Sequence, residues 1–237
     1  MASVTRRLKR LIARESTLRD HLLGPSMTWN SSQGLPPSAV EEDRALAYRV
    51  LMHAELERYF EDSLLCSVRS SLHIFNNCNG AITVPAAAAV IHHQSKLFFD
   101  GKNGATSFYL SKSRIMQDMP VRLEAAIAAI ESGVVGGNNG IKKHDVRKLV
   151  GWIGIDISEI DPTLVAALEI FGSERGDAAH LSRREIWRRY HRGTSGGNQP
   201  RVRRLPAPSD EVTAVNAVLK LLSGFDQLIQ HRMRQLI

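Results

Sequence analysis

Residues 38–75 read SAVEEDRALAYRVLMHAELERYFEDSLLCSVRSSLHIF, and neither glycine nor proline interrupts them. Ser38 can accept a hydrogen bond from a first-turn N–H, and Glu41 and Glu42 follow where negative charge is favoured. The stretch therefore predicts one unbroken helix of about ten turns. Working outward, most of the chain reads the same way. Residues 3–23 place Val4, Leu8, Leu11, Ile12, Leu18 and Leu22 at helical spacing. Pro85 opens a helix through an Ala-rich run to Phe98, and Pro120 opens another to about Ser132, closed by GVVGGNNG. Residues 143–152 make a short helix. Asp161-Pro162 is an N-cap followed by proline at the first helical position, starting a helix that runs to about Leu181. Ser209, with Asp210 and Glu211 behind it, starts the last helix. The expectation is an all-α bundle in one domain, residues 1–237. Residues 1–37 supply an N-terminal helix and linker, 99–119 an irregular insertion, and 182–208 a basic loop.

Composition excludes several classes. Of 237 residues, 43% are hydrophobic and 23% charged, ordinary values for a globular chain. The longest apolar run, around Ala81–Ile91, is shorter than the roughly 18 residues a membrane span needs, so no membrane role is expected. The basic N-terminus lacks the apolar run and small-residue cleavage site of a secretory signal. Two cysteines, Cys66 and Cys78, can build neither a disulfide scaffold nor a four-cysteine zinc module. A reducing, cytoplasmic setting is expected.

The net charge is +7, and its position is informative. Between Leu181 and Arg204 stand Arg183, Arg184, Arg188, Arg189, Arg192, Arg201, Arg203 and Arg204 against the single acid Glu185. This segment alone accounts for the whole excess. Trp187 and Tyr190 lie among the arginines, and GTSGGNQP follows. Guanidinium forks match phosphate, and aromatic faces stack on unpaired bases. The segment reads as an RNA contact surface through Arg183, Arg184, Trp187, Arg188, Arg189 and Tyr190. A solvated basic helix end, or a dock for an acidic protein, is the competing reading.

Two apolar rows carry charges. In the long helix one row runs Leu46, Val50, Ala54, then Leu64, Val68, Leu72, Phe75, and at about 100° per residue Glu57 and Glu61 fill its missing turns. In the helix from Asp161 the row Leu164, Leu168, Phe171 reaches Arg175. A charge on a core row is costly unless paired. Arg175 is therefore expected against Glu57 or Glu61 across the helix pair, either as a register-fixing ion pair or as part of a site. His180 follows five residues later, about 140° round the helix from Arg175. Either the helix unwinds there or a second chain completes the site.

The string Arg175-Gly176-Asp177-Ala178-Ala179-His180 at the end of a late helix, in an all-α chain, resembles the HEPN superfamily, and within it the RiboL-PSP-HEPN branch. GWIGIDISEIDPTLVAALEIFGSERGDAAH, the long helix bearing HAELERYFED, and the closing PSDEVTAVNAVLKLLSGFDQLI add to the likeness, which covers most of residues 38–237. The resemblance implies a HEPN-like helical bundle and a metal-independent endoribonuclease. It also implies a toxin of a toxin–antitoxin or antiphage system, acting as a homodimer with both R-x4-H motifs in one cleft and held in check by an antitoxin protein. Carried over, the motif arginine is Arg175 and the motif histidine is His180. The polar residue that many members carry after the arginine is Gly176 here, and Asp177 is placed to take over part of its role. Glu57 or Glu61 would orient Arg175. No metal or cofactor is expected.

His92-His93, with His53 and His73, lack the carboxylate or cysteine company of a metal site and read as solvent-facing or cap residues. GVVGGNNG lacks the following Lys-Ser/Thr and preceding strand of a phosphate loop. Arg6, Arg7, Lys9 and Arg10 form the polar side of an amphipathic helix, a solvated face first and a second RNA contact at best. Beside the nuclease stand two other functions: a HEPN-like module that binds RNA or a partner without turnover, and a helical adaptor whose basic loop docks an acidic partner.

Overall fold

The computed structural model describes residues 5–24, 38–99, 112–135, 137, 140–180 and 208–237. Ser38 accepts from the Glu41 N–H while the Glu41 side chain accepts from the Ser38 N–H, a reciprocal cap that starts a helix over Ala39–Asn77. With α1 over Arg6–Leu23, this long helix is α2; α3 covers Val84–Phe99, α4 Lys112–Ala129, α5 Lys143–Gly151, α6 Pro162–His180 and α7 Pro208–Arg234. A π-helical turn, Ile130–Val135, extends α4, and a 3-10 turn, Ile157–Glu159, precedes α6. No strand occurs among the described residues, only an isolated bridge between Thr83 and Leu236. The fold is all-α, and α2 packs against each of the other six helices.

The buried face of α2 differs from the row read off the sequence. Ala45, Tyr48, Met52, Leu56, Tyr59 and Phe60 are buried, whereas Leu46 and Val50 are half-buried and Ala54 is exposed. In this first half the buried row is displaced by about one residue, because the aromatic and methionine side chains have the larger apolar area to remove from water; in the second half Leu64, Val68 and Phe75 are buried where the sequence row puts them. Glu57 and Glu61 consequently stand on the flank of the packed face, half-buried.

The expected irregular insertion over 99–119 is also corrected. Phe99 ends α3, α4 is already helical from Lys112, and Pro120 lies inside α4 rather than opening it. Residues 100–111 are outside the described set. Proline removes one backbone hydrogen bond from a helix, but Met119, Leu123, Ala126 and Ile130 form one buried stripe across it, and that burial holds the helix together.

α7 is the second spine. Val212, Val215, Val218, Leu222, Phe225 and Ile229 are buried. By length and composition alone α7 would suffice to cross a membrane, an exception to the sequence expectation. Its packed face, however, carries two buried carboxylates. Glu211 pairs with Arg49 of α2 (Arg49 Nη2 to Glu211 Oε1 2.5 Å, Nε to Oε2 2.8 Å). Asp226 accepts from Tyr59 Oη at 2.7 Å and from the backbone N–H (3.3 Å) and hydroxyl (2.5 Å) of Thr5, the N-cap of α1. These contacts fasten α1 and α7 to α2.

Cys66 lies within α2 and Cys78 caps its end; both are free and exposed. Between α5 and α6, Gly154 adopts φ +72°, and a Cβ there would sit 3.0 Å from Ala88 Cβ of α3. The turn thus requires glycine both for its backbone and for its approach to α3.

Candidate functional site

Three elements meet where the sequence placed charges on apolar rows. α2 contributes His53, Glu57 and Glu61 at four-residue intervals, one side of a helix. α6 contributes Phe171 and Arg175, and the start of α5 contributes Lys142 and Asp145. Local chemistry fixes each element. The Asp161 side chain accepts from the Thr163 N–H at 2.8 Å, which starts α6 at Pro162 as its capping signal predicts. The Asp145 carboxylate accepts from the Lys142 N–H at 3.2 Å, and Glu169 of α6 accepts from the Lys143 N–H at 2.9 Å. Gly172 lets this junction close: a Cβ there would meet Lys142 Cγ at 3.0 Å.

Arg175 is half-buried on the α2-facing side of α6, and its charge acts on both Glu57 and His53. It forms no ion pair within 4 Å among the described residues. The direct Arg175–Glu57 or Arg175–Glu61 ion pair expected from the sequence is not formed, and what is present is the electrostatic influence of Arg175 on Glu57. The side chain of Glu57 is 15% exposed. Burial pushes its pKa above the ordinary carboxylate value; the Glu61 and Asp145 charges push the same way, against Arg175 and the Gly140 backbone N–H.

His53 is the residue that sequence reasoning missed. It was expected at the surface or at a cap, yet it is only 2% exposed and stacks on Phe171 with ring centroids 6.4 Å apart. Desolvation, then the Arg175 and Lys142 charges, hold its pKa down at about 4. The 3.9 Å approach of His53 Nδ1 to Glu57 Oε2 is consequently no ion pair at neutral pH and is too long for a hydrogen bond. Its burial follows from the one-residue displacement of the α2 row, which moves position 53 from rim to core.

Three polar atoms of this cluster, Arg175 Nε, Glu57 Oε1 and His53 Nδ1, are buried without a hydrogen-bond partner. Buried polar groups are nearly always satisfied, so three orphans together describe a site built to receive a polar group. The cluster joins both cations and anions, which suits an oxyanion that also brings hydroxyls.

α6 remains helical through His180, so the helix does not unwind before that residue. The side chains of Asp177 and His180 lie outside the described residues, as do Arg183, Arg184, Trp187, Arg188, Arg189 and Tyr190. No group of three or more metal-ligating side chains occurs among the described residues. The chain matches no protein-family model, no curated protein and no solved structure.

Proposed function

We propose that this chain is a metal-independent endoribonuclease with a HEPN-like R-x4-H site, acting in the cytoplasm as a homodimer and serving as the toxin of a toxin–antitoxin or antiphage system. The observation that carries the reading is the cluster of unpartnered buried atoms around Arg175. A guanidinium N–H without an acceptor is poised for a phosphodiester oxygen. Arg175 donates to the non-bridging oxygens, where charge grows as the phosphorus becomes five-coordinate.

The RNA supplies its own nucleophile. The ribose 2′-oxygen attacks phosphorus as a base takes its proton, and the P–O5′ bond breaks as an acid protonates the departing 5′-oxygen. The products are a 2′,3′-cyclic phosphate and a 5′-OH, with no metal or cofactor required. His180 fills an acid or base role, since an imidazole changes charge near neutral pH. His53 does not fill it, because it is buried and neutral until about pH 4. Its part is to wall the site with Phe171.

Helical register separates positions 175 and 180 by about 140°. In a regular α6 the two motif residues of one chain therefore do not share a face. A twofold pairing supplies the arginine from one protomer and the histidine from its partner. The arginine-rich segment after His180, with Trp187 and Tyr190, then leads RNA to the cleft. Expression in a bacterial host is expected to arrest growth and fragment cellular RNA, with both effects lost in Arg175→Ala and His180→Ala. Mixing the two inactive variants restores part of the cleavage if sites are composite. Growth arrest that persists in both variants would end the assignment.

A further inference from the structure

A second cationic feature lies away from Arg175. Between α2 and α7, under the start of α1, runs an open cleft of about 270 Å³ lined by Arg7, Arg234, Ser70 and Cys66, with Ile74 and Met233 among its apolar residues. Cys66 stands nine residues beyond Glu57, about 180° round α2 from it, so this cleft and the Arg175 cluster occupy different sides of the long helix.

Its electrostatics are unbalanced. Neither Arg7 nor Arg234 forms an ion pair among the described residues, and Arg7 Nε is buried without a hydrogen-bond partner. The buried acid at this end of the bundle, Asp226, is occupied by Thr5 and Tyr59. The Ser70 hydroxyl is exposed and likewise makes no hydrogen bond among the described residues. Two guanidiniums and a free hydroxyl on one concave surface are donors without acceptors, the chemistry that recognises a phosphate group. Ile74 and Met233 add apolar contact for whatever carries the phosphate. The volume lies just under the roughly 300 Å³ at which drug-sized ligand pockets begin, so it admits a phosphate and a small appendage.

We infer that the α2–α7 cleft is a phosphate-binding site, separate from the Arg175 cluster, that takes the phosphate group of a small ester or of a nucleic-acid backbone through Arg7 and Arg234. This inference does not rest on the nuclease reading. Cys66 lines the cleft, and Cys78, outside it, is an exposed internal control.

The test is alkylation of the folded full-length protein by iodoacetamide, followed by peptide mass mapping, at constant ionic strength. The probes are inorganic phosphate, adenosine monophosphate, and a short 2′-O-methyl oligoribonucleotide that cannot be cleaved by 2′-oxygen attack. A bound phosphate is expected to slow Cys66 at least fivefold and leave Cys78 unchanged. Protection is expected to disappear in Arg234→Gln, whose position is exposed, and in Arg7→Gln, checked for an unchanged melting temperature. Tightest protection by the mononucleotide identifies a small ester as the ligand, by the oligonucleotide an RNA backbone, and by inorganic phosphate the free ion. No selective slowing by any probe, or equal slowing in Arg234→Gln, overturns the site. Neither result bears on cleavage at Arg175.

Discussion

Lowering the pH from 8 to 5 should destabilise this protein through one buried side chain. In the unfolded chain His53 takes a proton at its ordinary value of 6.5; in the folded chain burial beside Arg175 and Lys142 postpones this to about 4. Between those values the unfolded state binds a proton that the native state refuses, so stability rises with pH across the window. At pH 5 the difference amounts to about 2 kcal/mol lost relative to pH 8, from linkage with RT of about 0.6 kcal/mol. Glu57 acts in the opposite sense: its raised pKa favours the native state on acidification, from its folded value down to the ordinary carboxylate value. Comparing wild type with His53→Gln largely cancels that contribution. The assay is urea unfolding followed by circular dichroism at both pH values, analysed by linear extrapolation. The wild type should lose about 2 kcal/mol more than His53→Gln between pH 8 and pH 5. Superimposable pH dependences would refute the claim that His53 is buried and neutral in this cluster.

Three further outcomes test the frame that holds the site. Arg49→Met removes the guanidinium that pairs with the fully buried Glu211 and should cost about 3–5 kcal/mol, while Arg49→Met with Glu211→Leu should recover most of the loss by the same unfolding measurement. Tyr59→Phe removes a hydroxyl donor to buried Asp226 and should cost about 1–3 kcal/mol, seen as a lower melting temperature. Gly154→Ala forces a side chain onto φ +72° and toward Ala88. It should cost more than about 1 kcal/mol, and a neutral result would contradict the turn between α5 and α6.

Local chemistry made most of the helices legible. Ser38 with Glu41, Asp161 with Pro162, and Ser209 with its following acids mark helix starts within a residue or so, because a cap depends on three or four neighbours. What failed depended on distant partners. Pro120 reads as a helix opener until the buried stripe from Met119 to Ile130 is known. Arg49 and Asp226 drew no expectation from the sequence, because their partners Glu211, Tyr59 and Thr5 come from other elements. In the candidate site the Arg175–Glu57 neighbourhood was legible, since both residues break an apolar row. His53 was not. Its burial follows from which of two adjacent rows on α2 faces Phe171, and a shift of one residue on an evenly apolar helix leaves little trace in the sequence.

Metal-independent cleavage is decided by incubating the purified protein with total RNA in excess EDTA and identifying the ends of any fragments. Cleavage is expected under chelation, with fragments ending in 2′,3′-cyclic phosphate and beginning with 5′-OH, and no fragments from Arg175→Ala or His180→Ala proteins that melt like the wild type. Intact RNA at every enzyme concentration, or undiminished cleavage by either folded variant, would contradict it.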